Sequence, residues 1–356
     1  MCVPTRARAL SLQPHQPLSL TILFNTLPLP RRYKAQTGLT VRWRLSFGGS
    51  GTQARAVCDG LPGDIAALAL PLDIDRIAQA GLLPLDWRSR APNGGIVAES
   101  VVGIVTRTGN PAKIRTFSDL SRPGLTVVTA NPKTAGVARW NFLALWQHGL
   151  DGGAGRLKKG ALNPDPGCPP DPAARGFVKA VLSNVPIMPR DAREASDAFY
   201  AQNKGDALLN YENEIIATNE AGDVEEPLPY VVPADNVRIT LPVALVAANL
   251  DRFPLHSRAA AREAAQAFLE FLFTPEAQAE FVASGFRPVG PLPKGGGGKE
   301  RNGGRSGKST TTARKFVKVR RLVDVDAHMG GWDAVQARFF ANGSLLDDLQ
   351  NELSGR

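Results

Sequence analysis

The stretch Asn131-Pro132-Lys133-Thr134-Ala135-Gly136-Val137-Ala138-Arg139-Trp140 has the residue types of a strand-to-helix corner that leaves backbone donors unpaired. It follows an apolar run at 125–129 that reads as a buried strand, and it opens an apolar helix at 137–149. Such a turn aims free N–H groups at one spot, with the positive end of the helix dipole behind them. That is the physical recipe for an anion site. A second corner of the same kind lies at 41–51: a strand at 41–45, then Ser46-Phe47-Gly48-Gly49-Ser50-Gly51, then a helix to Cys58 with Gly60 just past its end. Neither corner carries an Asp or Glu. Two Gly-rich, carboxylate-free corners imply a small oxyanion held between two lobes.

Other chemistries find less support. Cys2, Cys58 and Cys168 are too few and too scattered for a disulfide framework or a zinc site, and Cys58 reads as a buried helix residue. Of the four histidines only His328 has acids nearby, Asp324 and Asp326, at a spacing that would share one face of a strand, and no metal site is expected there. Ser50 and His148 could be imagined in a hydrolase triad, but no Gly-x-Ser-x-Gly elbow exists and no catalysis is expected. Gly307-Lys308-Ser309 resembles the end of a phosphate loop, yet Asn302 stands where the first glycine is required, so no nucleotide cofactor is implied. The net charge of +9 is unevenly placed: residues 1–58 hold eight Arg and Lys with no acid, and residues 294–321 hold ten with only Glu300. Much of this excess sits in segments that read as unstructured, so nucleic acid is not an expected partner. No apolar stretch approaches the ~18 residues of a membrane span.

The elements that must position the two corners follow an α/β pattern with parallel strands. The first ~30 residues, basic and rich in Ser, Pro and Leu, have a transit-peptide composition. Strands are expected at 64–70, 101–106 and 237–246, a short helix at 73–81 and a capped helical turn at 117–120. Residues 151–174 read as a Pro-dense loop, and 291–315 as a flexible basic linker. Ser257 is expected to cap a helix to Phe273, and Thr274-Pro275 to start another that stops at Gly285. Arg193 and Glu194 read as an ion pair, and Tyr211 equally as a core aromatic or a ligand contact.

Ser46-Phe47-Gly48-Gly49-Ser50-Gly51, Asn131-Pro132-Lys133-Thr134-Ala135-Gly136, Asp191-Ala192-Arg193-Glu194-Ala195-Ser196, Asn210-Tyr211-Glu212-Asn213-Glu214 and Gly330-Gly331-Trp332-Asp333 occur in one order. That order resembles the sulfate- and thiosulfate-binding proteins, the solute-binding subunits of sulfate ABC importers, from about Lys34 to Leu349. The wording of the third and fourth motifs is most similar to cyanobacterial and green-algal chloroplast members. The resemblance implies a two-lobed, hinged α/β fold of the type II periplasmic-binding-protein kind, with the ligand cleft between the lobes. It implies lobe I at 34–104 plus 236–290, lobe II at 105–235, and a C-terminal segment at 316–356 packing on the lobes. It implies no enzyme activity, a monomer, and as partners a membrane permease with a separate ATPase, in a chloroplast envelope or a bacterial periplasm. Ligand contacts carry over onto Ser50 and Gly51, onto Thr134 and Ala135 with the N–H groups of Gly136 and Val137, onto the N–H of Ala195, and onto Tyr211.

Sulfate is fully ionised at neutral pH and has no proton to donate, so a site made only of donors suits it. Hydrogen phosphate would press its proton against a donor and leave it unpaired, at about 1–3 kcal/mol. Two departures from the family pattern matter. Position 135 is Ala where the family usually has Ser, which costs one hydroxyl contact unless the Thr134 hydroxyl replaces it. The stretch between the first strand, at 20–26, and Tyr33 reads as too short for the family's first helix, so one covering helix and one anion contact are expected to be missing. Thiosulfate or another tetrahedral oxyanion, and a fold-only scaffold with weak anion affinity, are the alternatives.

Overall fold

The computed structural model describes residues 19–23, 29–37, 42–46, 48–150, 171–221, 226–293 and 316–355. The transit-like first 18 residues, most of the 151–174 loop and nearly all of the 291–315 linker lie outside the described residues. Two sheets organise the chain. The first has the order β2-β1-β3-β10-β4, built from β1 (Ser19–Leu23), β2 (Arg42–Leu45), β3 (Ile65–Ala67), β4 (Ile96–Ser100) and β10 (Ile239–Leu245). The second has the order β6-β7-β5-β8, built from β5 (Val102–Thr106), β6 (Val127–Val128), β7 (Ala207–Tyr211) and β8 (Tyr230–Val231). A parallel pair, β9 (Asp235–Val237) with β11 (Arg321–Val323), joins the C-terminal segment to the body.

The all-parallel expectation is corrected by the return strands. β1 runs parallel to β2 and β3, but β10 runs antiparallel to both β3 and β4. In the second sheet β5 is antiparallel to β7 and β8, and β6 alone is parallel to β7. The chain leaves the first sheet at Val101, between β4 and β5, and rejoins it after Arg238 at β10, having passed through the β9–β11 pair. Strands crossing from one sheet to the other are what a two-lobed hinged molecule requires.

The missing first helix is also corrected. Residues between β1 and β2 form α1 (Leu29–Thr37). Leu29 and Tyr33, one turn apart, give it a buried face. Tyr33 stands edge-on to Phe268 at 5.4 Å and Phe271 at 5.3 Å. Arg32 pairs with Glu280, so α1 is also held from its polar side. Phe268 and Phe271 come from α9 (Leu255–Phe271), and Glu280 from α10 (Pro275–Ala283). Thr274 caps α10 through Ala277 N–H, with Pro275 at its first position. Ser257 does not cap α9; it lies in the first turn, and Pro254 is the cap residue. A four-residue helix, α8 (Ala247–Leu250), links β10 to α9.

On the opposite side of the first lobe, α2 (Ser50–Cys58) and α3 (Pro71–Gln79) pack together. The buried face of α2 is Ser50, Gln53, Ala54 and Val57, so Cys58 turns outward and is exposed, against expectation. In the second lobe α4 (Gly136–Leu150) is buried nearly all round, as a helix at the centre of a lobe must be. Around it stand α5 (Pro172–Ser183), α6 (Ala192–Tyr200) and α7 (Glu212–Glu220). The expected loop ends earlier than 174, because Asp171 caps α5 through two backbone N–H groups and Pro172 occupies its first position. The C-terminal segment carries α11 (Val325–His328), α12 (Gly331–Val335), a π-turn at Gln336–Phe340 and α13 (Leu345–Leu353). Asp324 is the α11 cap, so the expected strand around His328 is a helical turn. Val325, Trp332, Phe339, Phe340, Leu345 and Leu349 share one core with Trp140, Phe142 and Trp146 of α4.

Tyr33→Ala opens a cavity under α1 between two phenylalanines, and it should cost about 3–5 kcal/mol. Urea unfolding measures it; a loss below ~1 kcal/mol would mean that α1 is not part of this core.

Candidate functional site

β2 leads through Gly48 and Gly49 into α2, whose first intrahelical bond is Gln53 N–H to the Gly49 carbonyl. The N–H groups of Ser50, Gly51 and Thr52 precede that bond and have no intrahelical acceptor. The Ser50 hydroxyl is occupied: it donates to Asp73 Oδ2 at 2.6 Å and accepts from Ala69 N–H at 3.1 Å. Ser50 therefore offers a ligand its backbone donor, while its side chain locks the start of α2 to the 69–73 turn. The same contact corrects the carboxylate-free reading of this corner. Asp73 is completely buried beside it, with Oδ1 accepting from Arg76 at 3.1 Å. Burial pushes the Asp73 carboxyl up, opposed by Ser50, Arg76 and Arg139.

At the second corner Asn131 folds the loop. Its side-chain oxygen accepts from Lys133 N–H at 2.8 Å, and its carbonyl accepts from Thr134 N–H at 3.1 Å and Ala135 N–H at 2.9 Å. Those bonds deliver the chain to Gly136, the first residue of α4, where the unpaired N–H groups of a helix start begin. The Thr134 hydroxyl donates to the Arg190 carbonyl at 2.6 Å. Its one hydrogen is spent there, so it does not replace the hydroxyl absent at Ala135, whose methyl is buried.

The two corners face each other at close range. A Cβ at Gly49 would lie 3.1 Å from the Thr134 carbonyl oxygen. A Cβ at Gly136 would lie 3.2 Å from Ala69 Cβ, 3.3 Å from Leu70 Cγ and 3.5 Å from Tyr211 Oη. Glycine at both positions is what permits this approach. Trp140 Nε1 reaches across to the Ala69 carbonyl at 3.1 Å. Tyr211, at the end of β7, places a hydroxyl at this junction that is buried and has no hydrogen-bond partner. Burial pushes its pKa well above the usual tyrosine range, with Asp73 and Glu214 adding to the shift. It stays a neutral donor without an acceptor. Leaving it so costs about 1–3 kcal/mol.

Ala195 is the carried-over residue that the geometry does not support as a donor. Asp191 caps α6 by accepting from Glu194 N–H at 3.0 Å, and Ala195 N–H then donates to the Asp191 carbonyl at 3.0 Å. Being the fourth residue of the helix, Ala195 is inside the bonded ladder. It packs in one cluster with Ala135, Val137 and Tyr211. Arg193 pairs with Glu214 at 3.3 Å, and Glu194 with Arg190 at 2.7 Å, so the expected Arg193–Glu194 pair does not form. His148 is taken by the Ser118 hydroxyl at 2.7 Å.

Asp73, Arg139 and Trp140 escaped the sequence reading. Arg139 is buried beneath the second corner, donating to the Pro132 carbonyl and to Gln336 Oε1, each at 3.0 Å. Burial pulls its pKa down, and Asp73 opposes that pull. The only local signal was Trp140 one helical turn after Gly136; the Ser50–Asp73 contact spans 23 residues and no short motif carries it. Among the described residues no group of three or more His, Cys, Asp or Glu could hold a metal ion, and no helix is long and apolar enough to cross a membrane.

Residues 28–287 match the family described as bacterial extracellular solute-binding protein. The chain belongs to that family. The sulfate-binding protein of Synechococcus elongatus is 41% identical over 325 residues, covering 91% of this chain and 81% of its own length. The thiosulfate-binding protein of Pseudomonas aeruginosa is 30% identical, covering 89% of this chain and 84% of its own. The solved structure of the sulfate-binding protein SubI from Mycobacterium tuberculosis superposes with a TM-score of 0.69 at 31% identity, covering 91% of this chain and 99% of that one. The two-lobed architecture of solute-binding proteins is thus this chain's fold, and the facing helix starts lie at the junction of its lobes.

Ser50→Ala removes the hydrogen bond that offsets the burial of Asp73, and should cost about 1–3 kcal/mol at pH 7. The sign with pH follows from the raised Asp73 pKa. An ionised carboxylate whose folded pKa lies above its unfolded value weakens the fold at neutral pH, and the penalty fades as pH falls through the folded pKa. Loss of Ser50 raises that pKa further. The stability gap between variant and parent should therefore narrow as pH is lowered from 7, measured by urea unfolding. A gap that widens would overturn the Ser50–Asp73 assignment.

Proposed function

We propose that this chain binds sulfate between its lobes and delivers it to the membrane permease of an ATP-driven importer. The observation that carries the reading is the buried, partnerless Tyr211 hydroxyl beside the start of α4 and across from the start of α2. N–H groups from Ser50, Gly51, Gly136 and Val137 and the Tyr211 O–H make a set of donors, and sulfate is acceptor on every oxygen. Helix starts stabilise its charge without a lysine or arginine in contact. Asp73 does not undo this selectivity, because both of its oxygens already accept from Ser50 and Arg76.

The names of the relatives support sulfate first and thiosulfate second. Both are tetrahedral, fully ionised dianions, and the donor set serves either. Energy for transport would come from a separate ATPase, since solute-binding relatives are not enzymes. The family description supports work outside the membrane, on the side from which the anion arrives. A chloroplast setting rests on the composition of residues 1–30 alone. The weak-affinity reading is favoured by one specific feature: Ala135 brings no hydroxyl, and that of Thr134 is spent on Arg190.

A thermal-unfolding titration with sulfate, thiosulfate, phosphate and chloride at matched ionic strength tests the function. Saturation at 100 times the dissociation constant adds about 2.7 kcal/mol, so sulfate should raise the midpoint while phosphate and chloride do not. No shift with any oxyanion would sink the reading. Ala135→Ser should tighten sulfate by about 10- to 100-fold, the worth of a hydrogen bond to a charged group. Tyr211→Phe should weaken it by a similar factor while leaving the unliganded protein as stable or more so, since an unpaired buried hydroxyl is lost. Calorimetric titration of the two variants measures both effects.

A further inference from the structure

Lys133 is the one lysine in the anion corner, two residues before Ala135, and a lysine there would ordinarily be read as the ligand's counter-charge. The geometry points elsewhere. Its ammonium sits 2.7 Å from Asp347 Oδ1 on α13, 3.4 Å from the Phe340 carbonyl and 3.5 Å from the Ala341 carbonyl. The short contact is the one to Asp347, and the two carbonyls draw the ammonium further towards the C-terminal segment. The two carbonyls close the π-turn Gln336–Phe340, and Asp347 lies in the first turn of α13. The ammonium thus sits where a helix end presents its carbonyls, the side that favours a cation. Asp347 is also fixed from its other oxygen by Gly343 N–H at 2.7 Å.

Two further ties reach the same corner from the same segment. Arg139 donates to Gln336 Oε1 while its other nitrogen holds the Pro132 carbonyl. Trp140 stands edge-on to Trp332 at 4.6 Å. The loop that aims the N–H groups of Gly136 and Val137 is therefore fastened from behind by residues 332–347.

We propose that Lys133 is a positioning residue and not an anion ligand: with Asp347 it fastens the 131–137 corner to the C-terminal segment, and sulfate affinity depends on that fastening. The inference rests on the sulfate-binding reading for its affinity readout and on the fold alone for a second one. The Lys133–Asp347 pair is about one-quarter exposed on each side, so its contribution is modest rather than negligible.

The test is sulfate titration calorimetry on the full chain and its Lys133→Met, Asp347→Asn, Lys133→Met/Asp347→Asn and Lys133→Arg variants. Hydrogen exchange of the Thr134 and Ala135 amides, both bonded to the Asn131 carbonyl, is measured without ligand. Each single variant should weaken sulfate about three- to tenfold, the double variant no more than either single, and Lys133→Arg should restore binding. The two amides should exchange faster in both single variants. Loss of affinity on Lys133→Met with Asp347→Asn neutral would make Lys133 a direct ligand and overturn the proposal. Unchanged affinity and exchange in both variants would overturn it as well. Should the unsubstituted chain take no sulfate, the functional reading falls, and amide exchange alone decides whether the corner is fastened.

Discussion

A helix start has donors that nothing inside the helix can satisfy, and burying two such starts against each other is the constraint around which this protein is built. Water cannot serve them freely where Gly49 meets the Thr134 carbonyl and Gly136 meets Leu70. The surroundings therefore supply an acceptor wherever a donor is meant to be structural and withhold one where it is not. Ala69 N–H is given the Ser50 hydroxyl, Thr134 and Ala135 N–H are given the Asn131 carbonyl, and Trp140 Nε1 is given the Ala69 carbonyl. The Tyr211 hydroxyl is given nothing. A polar group left alone in a dry place weakens the fold by itself, which is why the proposed anion contact is placed there.

Charge near the junction is arranged on the same logic. Asp73 and Arg139 are both buried there and of opposite sign, and each is opposed in its shift by the other. Asp73 is engaged by Ser50 and Arg76, and Arg139 by Pro132 and Gln336. A buried pair of this kind adds little net stability, since desolvation cancels most of the attraction. What it adds is geometry. Ser50 and Asp73 fix where α2 begins relative to the 69–73 turn, and Arg139 fixes where α4 begins relative to the C-terminal segment.

Much of the framework was legible because its signals are local. Thr274 with Pro275, Thr116 with Asp119, and glycines at the two corners each act within a turn or so of themselves. The failures share a different cause. α1 shows only Leu29 and Tyr33 as apolar anchors among polar and basic residues, and its helix is decided by Phe268 and Phe271 from far along the chain. Cys58 was misplaced because helix phase, not residue type, sets which side is buried. Ala195 matched a motif, yet the cap formed by Asp191 takes Glu194 N–H and the ladder takes Ala195 N–H, so neither is free. Asp73 reaches Ser50 only through the packing of α3 on α2. Residue types proposed the site; helix registers and distant partners decided which atoms in it are free.

The position of Tyr211 shows how the hinge enters the site. Its neighbour Glu212 is almost wholly buried and is held bidentately by the Arg287 guanidinium, which donates through Nε at 2.6 Å and Nη2 at 3.0 Å. Arg287 also exchanges backbone bonds with Glu99 at the end of the first sheet, and Glu212 N–H is held by Val101, where the chain crosses between sheets. The residue that carries the partnerless hydroxyl is thus joined on its C-terminal side to the crossover itself. The Glu212–Arg287 fork and the Val101 carbonyl thus hold the chain just after Tyr211 from two sides. A bidentate pair tolerates little angular change before one of its bonds is lost. The C-terminal side of Tyr211 is therefore tied to the crossover between the sheets through a stiff connection.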